Sequence, residues 1–302
     1  MLPIKKIFID SKARVAGSQS TSNFIIDLPE SYTMPEDCAF HIDDVCIPCS
    51  WYLIREGFND SMVIATKDPA VLAPNDEELY YQIILAPGQY DGDSLASAIL
   101  NQMPSHNPQS GHVAEFSPYE FDVKFFSPSS QIIISGKRIG GERSCYYKVL
   151  TDAEILNVLN ATTWKPSTKR PTQITQFYSI NTLIGNTGNV STEHRMANDF
   201  KSKSIDFRPI KYVLIRSPNF GTFMTLNSLH GEKTIVKKVQ TQNAKFGDII
   251  SDYIRSSEDL LDCSKQSLRR LEFRFTDEAG NDLDLNGQDV SFSIVFSLKA
   301  KE

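Results

Sequence analysis

Residues 271–298 read LEFRFTDEAGNDLDLNGQDVSFSIVFSL, and this stretch decides the fold class. Apolar and polar residues alternate over 271–276 and again over 290–298. Asn286-Gly287, between the two runs, is a strong signal for a tight turn. Alternation with a period of two residues is typical of antiparallel strands that have one face on a core and the other polar. The residues predicted on the core face of the last strand are Val290, Phe292, Ile294, Phe296 and Leu298.

Short runs of the same kind recur along the chain and are separated by Pro, Gly, Asn and Ser, as in an all-β sandwich. Asp43-Asp44 interrupts one of these runs and predicts a β-bulge. The predicted strands before residue 70 are 7–9, 24–28, 39–47 and 61–66. The predicted strands after residue 170 and before the final pair are 177–183, 211–216, 234–239 and 245–254.

The segment from 79 to about 164 has a mixed pattern, with the order β-α-β-β-β-α. A helix is predicted over 94–103, because Leu95, Ala98, Ile99 and Met103 share one helical face, with Asp93 or Ser94 as N-cap. A second helix is predicted after Thr151, where Thr151-Asp-Ala-Glu154 matches a capping box. The strands predicted in this segment are 79–85, 121–126, 131–135 and 146–150.

These patterns predict a mostly β protein: an antiparallel β-sandwich interrupted by a small α+β insertion domain. The first strands cannot close a sandwich alone, so the later strands must supply their partners. The predicted boundaries are residues 1–78 for the first half of the sandwich, 79–169 for the insertion and 170–302 for the second half. A polar segment at 165–172 marks the end of the insertion.

Composition narrows the possible partners and compartments. The 302 residues carry a formal net charge of −6, so we expect no direct binding of nucleic acid. No apolar run reaches the roughly 18 residues of a membrane span, and no signal peptide is predicted. The five cysteines are scattered and odd in number, which favours synthesis in a reducing cell interior over a secreted disulfide framework.

Cys46-Ile-Pro-Cys49 is the sharpest chemical motif. In a redox enzyme such a pair lies at a helix N-terminus, where the thiol pKa is lowered. Here an alternating run precedes it and no amphipathic helix follows, so the motif is equally compatible with a strand end. A zinc site would require two further ligands, and no second such pair or closely spaced His pair occurs.

The remaining candidates for chemistry are weaker. His41, His106, His112, His194 and His230 are single and far apart, and Gly136–Gly141 lacks the order of a phosphate-binding loop. Two acidic pairs, Asp43-Asp44 and Asp282/Asp284, have the residue types of a glycosidase, but strand and turn positions explain them as well. We therefore predict no enzyme activity, no catalytic, cofactor-binding or metal-binding residue, and no cofactor.

Several aromatic residues lie where alternation fails. They either form a subunit interface, where aromatic residues are enriched, or pack on their own domain. These residues are Trp51, Tyr52, Tyr119, Trp164, Phe220 and Phe223.

Four stretches in order along the chain resemble one protein family. They are Ile7–Ser11 with Ser22–Pro29, Gly88–Ile99 with Phe121–Phe125, Leu271–Asn281, and Leu285–Phe292. The chain thereby resembles the penton (minor capsid) proteins of virophages and Maverick/Polinton elements. The resemblance implies a single jelly roll with an insertion domain, assembled as a homopentamer at the icosahedral vertices of the virion and in contact with the major capsid protein.

The same resemblance implies synthesis in the cytoplasm of the infected host cell and carries no catalytic residues. An alternative stays open: a β-sandwich module of a viral particle that binds a host-surface receptor or carbohydrate, with the insertion domain as the binding part.

Overall fold

The computed structural model describes residues 3–67, 79–103, 119–138, 146–161, 179–195, 198–208, 210–220, 234–241, 244–252 and 260–298. The chain forms two compact units. Unit 1 contains residues 1–51 and 210–302, and unit 2 contains residues 52–209. None of the helices in the described ranges is long and apolar enough to cross a lipid bilayer.

Strands dominate both units. In chain order they are β1 (Pro3–Asp10), β2 (Asn23–Thr33), β3 (Cys38–Pro48), β4 (Ser61–Lys67), β5 (Leu79–Ile84), β6 (Tyr119–Phe126), β7 (Gln131–Arg138), β8 (Tyr146–Val149), β9 (His194–Arg195), β10 (Asp199–Lys201), β11 (Tyr212–Arg216), β12 (Ile235–Gln240), β13 (Ile249–Asp252), β14 (Leu261–Asp262), β15 (Ser267–Thr276) and β16 (Ser291–Leu298). The α-helices are α1 (Gly92–Asn101), α2 (Asp152–Ala161) and α3 (Asn181–Ile184).

Unit 1 is a jelly roll of two antiparallel sheets. Sheet I has the order β1-β16-β3-β13, with the short β14 also pairing with β3, and sheet II has the order β12-β11-β15-β2. Numbered along unit 1 without β14, the eight strands are arranged 1-8-3-6 and 5-4-7-2, the order of a jelly roll. The first and last strands of the unit are hydrogen-bonded neighbours, so both ends of the chain build the same sheet.

The core of unit 1 lies between the two sheets and is rich in phenylalanine. Phe273 of β15 and Phe275 are fully buried, as are Ile294 and Phe296 of β16. The rings of Phe273 and Phe292 meet edge to face with centroids 4.9 Å apart, which joins sheet II to sheet I. Burial of each such side chain stabilises the fold by about 1.5–3 kcal/mol. The alternation over 271–276 and 290–296 is therefore confirmed as a core pattern.

The last strand departs from the predicted pattern in two ways. Leu298, predicted on the core face, is 49% exposed because it lies at the end of β16 beside the first residue of β3. Ser293, predicted on the polar face, is 1% exposed. It lies on an interior strand of sheet I, paired with Phe8 of β1 on one side and with Asp43 of β3 on the other.

The bulge predicted at Asp43-Asp44 is confirmed. The pairing of β3 with β16 shifts register between Ser291 and Ser293, and Asp44 has a φ of 50°. Lys6 of β1 contacts both carboxylates, at 3.7 Å from Asp43 and closer still to Asp44. The extra residue thus directs both acids toward one lysine.

Unit 2 contains two further antiparallel sheets and the helices. One sheet has the order β5-β4-β8-β9 and the other the order β10-β7-β6. The predicted order β-α-β-β-β-α is confirmed by β5, α1, β6, β7, β8 and α2. Leu95 and Ile99 of α1 are buried in the core of this unit together with Phe121 and Val123 of β6.

The helix ends follow local hydrogen bonds. Helix α1 begins two residues before the predicted start, because Asp91, not Asp93 or Ser94, is the N-cap. The Ser94 amide donates to Asp91 Oδ1 at 2.8 Å, and the Asp91 amide donates to Ser94 Oγ at 2.9 Å. The capping box of α2 is confirmed, with the Thr151 amide donating to Glu154 Oε2 at 3.0 Å and the Glu154 amide donating to Thr151 Oγ1 at 3.3 Å.

Two predicted strands are shorter or absent. Within the predicted strand 177–183, residues 181–183 belong to α3, whose C-cap is Gly185 with a φ of 68°. Residues 177 and 178 lie outside the described ranges. The predicted strand 245–254 begins only at Ile249, the first residue of β13, because the chain turns at Gly247, whose φ is 92°. Residues 253 and 254 lie outside the described ranges. The short strands β9, β10 and β14 and helix α3 have no clear signal in the sequence.

The two units divide the chain at residues 51/52 and 209/210, outside the boundaries predicted at 78/79 and 169/170. The first difference arises because β4 pairs with β5 on one side and with β8 on the other, all within unit 2. The second arises because α3, β9 and β10 also belong to unit 2. The predicted linker at 165–172 lies outside the described residues.

Candidate assembly surface

The Cys46/Cys49 pair has the geometry of a strand end. Cys46 lies within β3 opposite Ser251 and Ser291, and Cys49 follows the strand and donates its amide to Asp248 O at 2.8 Å. Three residues of extended chain span about 10 Å, whereas a disulfide tolerates a Cα separation of at most about 7 Å. Burial, with a smaller effect of the Asp248 charge, raises the pKa of Cys49 to about 11. A redox thiol requires the opposite shift.

The acidic pairs are used inside the fold. Asp43 and Asp44 contact Lys6, as described above. Asp282 accepts two hydrogen bonds from Arg274, at 2.8 and 3.0 Å, and one from Asn23 Nδ2 at 2.8 Å. The Asp284 carboxylate accepts the Asn286 amide at 2.9 Å. These bonds fix the bulge and the turn before β16, so strand and turn positions account for both acidic pairs.

The other sequence candidates are also explained by strand packing. Gly136 and Lys137 are paired within β7 opposite β6, while 139–141 lie outside the described residues. His41 lies in β3 opposite Val295. His194 lies between the rings of Tyr147 and Phe200, and burial lowers its pKa. His106, His112 and His230 lie outside the described ranges. Within those ranges, no three His, Cys, Asp or Glu side chains are grouped so as to hold a metal ion.

Of the aromatic residues expected either at a subunit interface or packed on their own domain, Trp51 and Phe220 pack on their own domain. Trp51 is 7% exposed and Phe220 is 1% exposed, and both belong to the core of unit 1. Phe220 packs on Phe40 with ring centroids 4.5 Å apart. Tyr52 is half-buried. Trp164 and Phe223 lie outside the described ranges, and only the backbone of Tyr119, the first residue of β6, is described.

The large apolar side chains that face solvent are different ones. Phe8 is 77% exposed and Ile249 is 68% exposed. Phe8 lies on β1 and Ile249 on β13, the first and last strands in the order β1-β16-β3-β13 of sheet I. Phe246, at 46% exposure, lies just before β13. We call the outward side chains of β1 and β13 the edge surface of sheet I.

The exposure of Phe8 and Ile249 could have been predicted from consecutive apolar residues in the sequence, a pattern that differs from simple alternation. Ile7-Phe8-Ile9 and Ile249-Ile250 are consecutive apolar residues in strands. Neighbouring residues of a strand point to opposite faces, so each run must place one apolar side chain outward. Ile9 and Ile250 are buried, which leaves Phe8 and Ile249 on the outside.

The two edges differ in charge. Residues 5–14 at the β1 edge contain Lys5, Lys6, Lys12 and Arg14 against one acid, Asp10. Residues 245–252 at the β13 edge contain Asp248 and Asp252 against one base, Lys245. Several of these charges also pair within the chain, since Lys6 contacts the bulge acids and Lys237 Nζ lies 3.6 Å from Asp252. The edge surface therefore combines an exposed apolar residue with a basic strand on one side and with an acidic strand on the other.

Comparison with known proteins yields a structural likeness. No protein-family model matches the chain, and neither does any curated protein sequence. Among solved structures, the chain is similar to the selenomethionine-labelled mavirus penton protein. The two have 13% sequence identity, and the likeness covers 98% of this chain and 100% of that chain with a TM-score of 0.48.

Proposed function

We propose that the chain is a penton (minor capsid) subunit, which forms homopentamers at icosahedral vertices and contacts the major capsid protein. The observation that carries the proposal is the complete eight-strand jelly roll, closed by the first and last strands of the chain. Jelly rolls recur in viral capsid proteins, as well as in lectin domains and cupins. Three of the four stretches that resemble pentons, including Ile7–Ser11 and Leu285–Phe292, lie in or next to strands of this jelly roll, and the fourth, Gly88–Ile99 with Phe121–Phe125, lies in unit 2.

A structural role also fits the use of the polar side chains. Cys49 is buried with a raised pKa, and the Asp282 carboxylate is paired with Arg274 within the fold. A vertex subunit requires a rigid module that tolerates an inserted unit, and unit 1 retains its own core while the chain of unit 2 is inserted between β3 and β11. The proposed location is the virion, after synthesis in the host cytoplasm.

The mass of the purified full-length chain in solution tests this proposal. We expect a species of five times the chain mass of 34.0 kDa. Co-expression with the major capsid protein of the same virus should place the chain in particles, and negative-stain images should show it at the vertices. A chain that stays monomeric at every concentration and never enters particles contradicts the proposal.

A second candidate function is binding of a host-surface carbohydrate by unit 2. The observation that favours it is an open concavity beside the end of α1, lined by Leu100, Glu120, Phe121, Asp122, Ser135, Gly136 and Lys137. Carboxylate, hydroxyl and ammonium groups can bind sugar hydroxyls directly. A glycan array probed with the full chain should give signals that fall in Asp122→Asn and persist in the matched unit 1 variant Glu272→Gln. A blank array contradicts this candidate.

A further inference from the structure

We infer that the five-fold contact is a strand pairing in which β1 of one copy lies against β13 of the next copy, with Phe8 packed on Ile249. The inference rests on the proposed pentamer and names the surface that builds it. Within the described residues, β1 pairs only with β16 and β13 pairs only with β3, so each presents one open edge. The backbone groups of an open edge form a ready template for another strand.

The directions of the two strands permit this pairing. Every neighbouring pair in β1-β16-β3-β13 is antiparallel, so three reversals separate β1 from β13 and the two run in opposite directions. When two copies lie side by side in the same orientation, β13 of one is therefore antiparallel to β1 of the other. The contact would continue sheet I from copy to copy with its existing antiparallel pattern.

One register matches both faces of the two strands. If Phe8 lies opposite Ile249, an antiparallel pairing places Ile7 opposite Ile250. Phe8 and Ile249 are the exposed outward residues, whereas Ile250 is buried and Ile7 packs against the core on the inward face. Apolar residues therefore meet apolar residues on each face, which is the usual source of stability in cross-strand pairs.

The same register pairs opposite charges. Lys5 falls opposite Asp252, and Lys6 falls opposite Ser251. In the single chain, Lys5 Nζ lies 2.9 Å from the ring centroid of Tyr32, and Asp252 lies 3.6 Å from Lys237. Lys5 of the next copy would give Asp252 a second cationic neighbour. The basic β1 edge and the acidic β13 edge are thus complementary to each other and not to themselves.

Such a contact is heterologous, because each copy uses two different edges. Heterologous contacts generate closed rings when the rotation between copies closes, and they form no self-complementary dimer. This property gives the inference a specific experimental signature: damage to one edge of a copy leaves its other edge able to bind.

Two surface variants and their mixture test the contact. Phe8→Glu and Ile249→Glu each place a charge opposite an apolar partner, so each alone should require about tenfold or more chain for half-assembly. An equimolar mixture should recover heterodimers, since the intact β13 edge of Phe8→Glu binds the intact β1 edge of Ile249→Glu, but no pentamers. Val190→Glu in unit 2, where Val190 is 78% exposed, is the matched control and should assemble normally. Solution mass and circular dichroism report assembly and folding.

Cross-linking keeps the test decisive if a glutamate variant fails to fold. The double variant Phe8→Cys, Ile249→Cys, oxidised with copper phenanthroline in air, should give a covalent ladder up to five chains. Each cross-link forms as two thiols lose two protons and two electrons to the oxidant. Wild type and Phe8→Cys alone should give no ladder.

The outcomes separate this inference from the proposed function. A wild-type pentamer whose assembly is unaffected by Phe8→Glu or Ile249→Glu, or a double cysteine variant without a ladder, overturns the β1–β13 contact and leaves the penton role standing. A wild-type chain that never forms pentamers overturns both.

Discussion

Tyr147 offers the sharpest test of how unit 2 is held together. Its hydroxyl lies between the two sheets of this unit, and the whole residue is 1% exposed. It accepts the Phe200 amide of β10 at 2.9 Å and lies 2.6 Å from Ile134 O of β7 and 2.9 Å from Asn198 O. One oxygen atom of β8 therefore bonds to strands of the other sheet.

Replacement of Tyr147 by Phe removes this oxygen and retains the ring. The Phe200 amide and one carbonyl then lose their partner in a buried site. An unsatisfied buried polar group costs about 1–3 kcal/mol. Partial relaxation of the surrounding residues lowers the combined cost of the two unsatisfied groups. We therefore expect the free energy of unfolding of unit 2 to fall by about 2–3 kcal/mol.

Hydrogen exchange and urea unfolding measure the effect. Peptides that cover 198–205 should exchange faster in Tyr147→Phe, because the Phe200 amide loses its acceptor. Tyr146→Phe is the matched control, since Tyr146 is the preceding, half-buried residue of β8 and points to the opposite face. A Tyr147→Phe protein with unchanged exchange at 198–205 and a stability loss below about 0.5 kcal/mol would refute the bridging role of the hydroxyl.

The same residue predicts an alkaline dependence. Burial, partly offset by the hydrogen bond from Phe200, raises the pKa of Tyr147 from 10.0 to about 12. Below pH 10 the phenol is neutral in both the folded and the unfolded chain, so its contribution is fully present. As the pH rises from 10 through 12, the unfolded chain ionises first and that contribution is lost. The stability difference between wild type and Tyr147→Phe should therefore shrink over this window, and a constant difference would contradict the prediction.

Two further predictions concern packing and thiol reactivity. A Cβ at Gly92 would clash with the Phe125 ring, so Gly92→Ala should lower the unfolding free energy by about 1–3 kcal/mol. Gly88→Ala is the control, because the atom nearest to its added Cβ is 3.6 Å away. Equal midpoints of urea unfolding for Gly92→Ala and Gly88→Ala would contradict the clash. Iodoacetamide at pH 8 should modify the half-buried Cys46 in the native chain and the buried Cys49, whose pKa is about 11, only after unfolding. Peptide mass mapping checks the order of modification, and faster reaction of Cys49 would contradict it.

Local signals in the sequence were sufficient for much of the fold. The alternation over 290–296 identifies β16 because each inward residue there is fully or nearly fully buried. The capping box at Thr151 and the bulge at Asp43-Asp44 were also predictable, since each depends on residues close together in sequence or on a local break in alternation. The mostly β, antiparallel class follows from these elements.

Choices between distant partners were not predictable in the same way. The run at 61–66 reads as a strand, but nothing in its pattern decides whether it pairs within unit 1 or with β5 and β8. Trp51 and Phe220 interrupt the alternation as interface aromatics do, yet they fill the core between the sheets. The exposure of Phe8 depends on β1 being an edge strand, which is a property of the whole sheet.

The place of the insertion explains how one chain can contain both units. Unit 2 joins β3 to β11, each an interior strand of its sheet. Lengthening a loop about thirtyfold costs only about 3 kcal/mol of closure entropy. The cost is smaller for an insertion that is folded around its own core, because fewer of its residues behave as a flexible loop. Ser11, which donates through Oγ to Asp289 at 2.7 Å and through its amide to Val290 O at 2.9 Å, ties the end of β1 to the start of β16 independently of unit 2. Because both junctions lie on interior strands, neither interrupts β1 or β13, and the edges that we propose to pair between copies stay separate in sequence from the inserted unit.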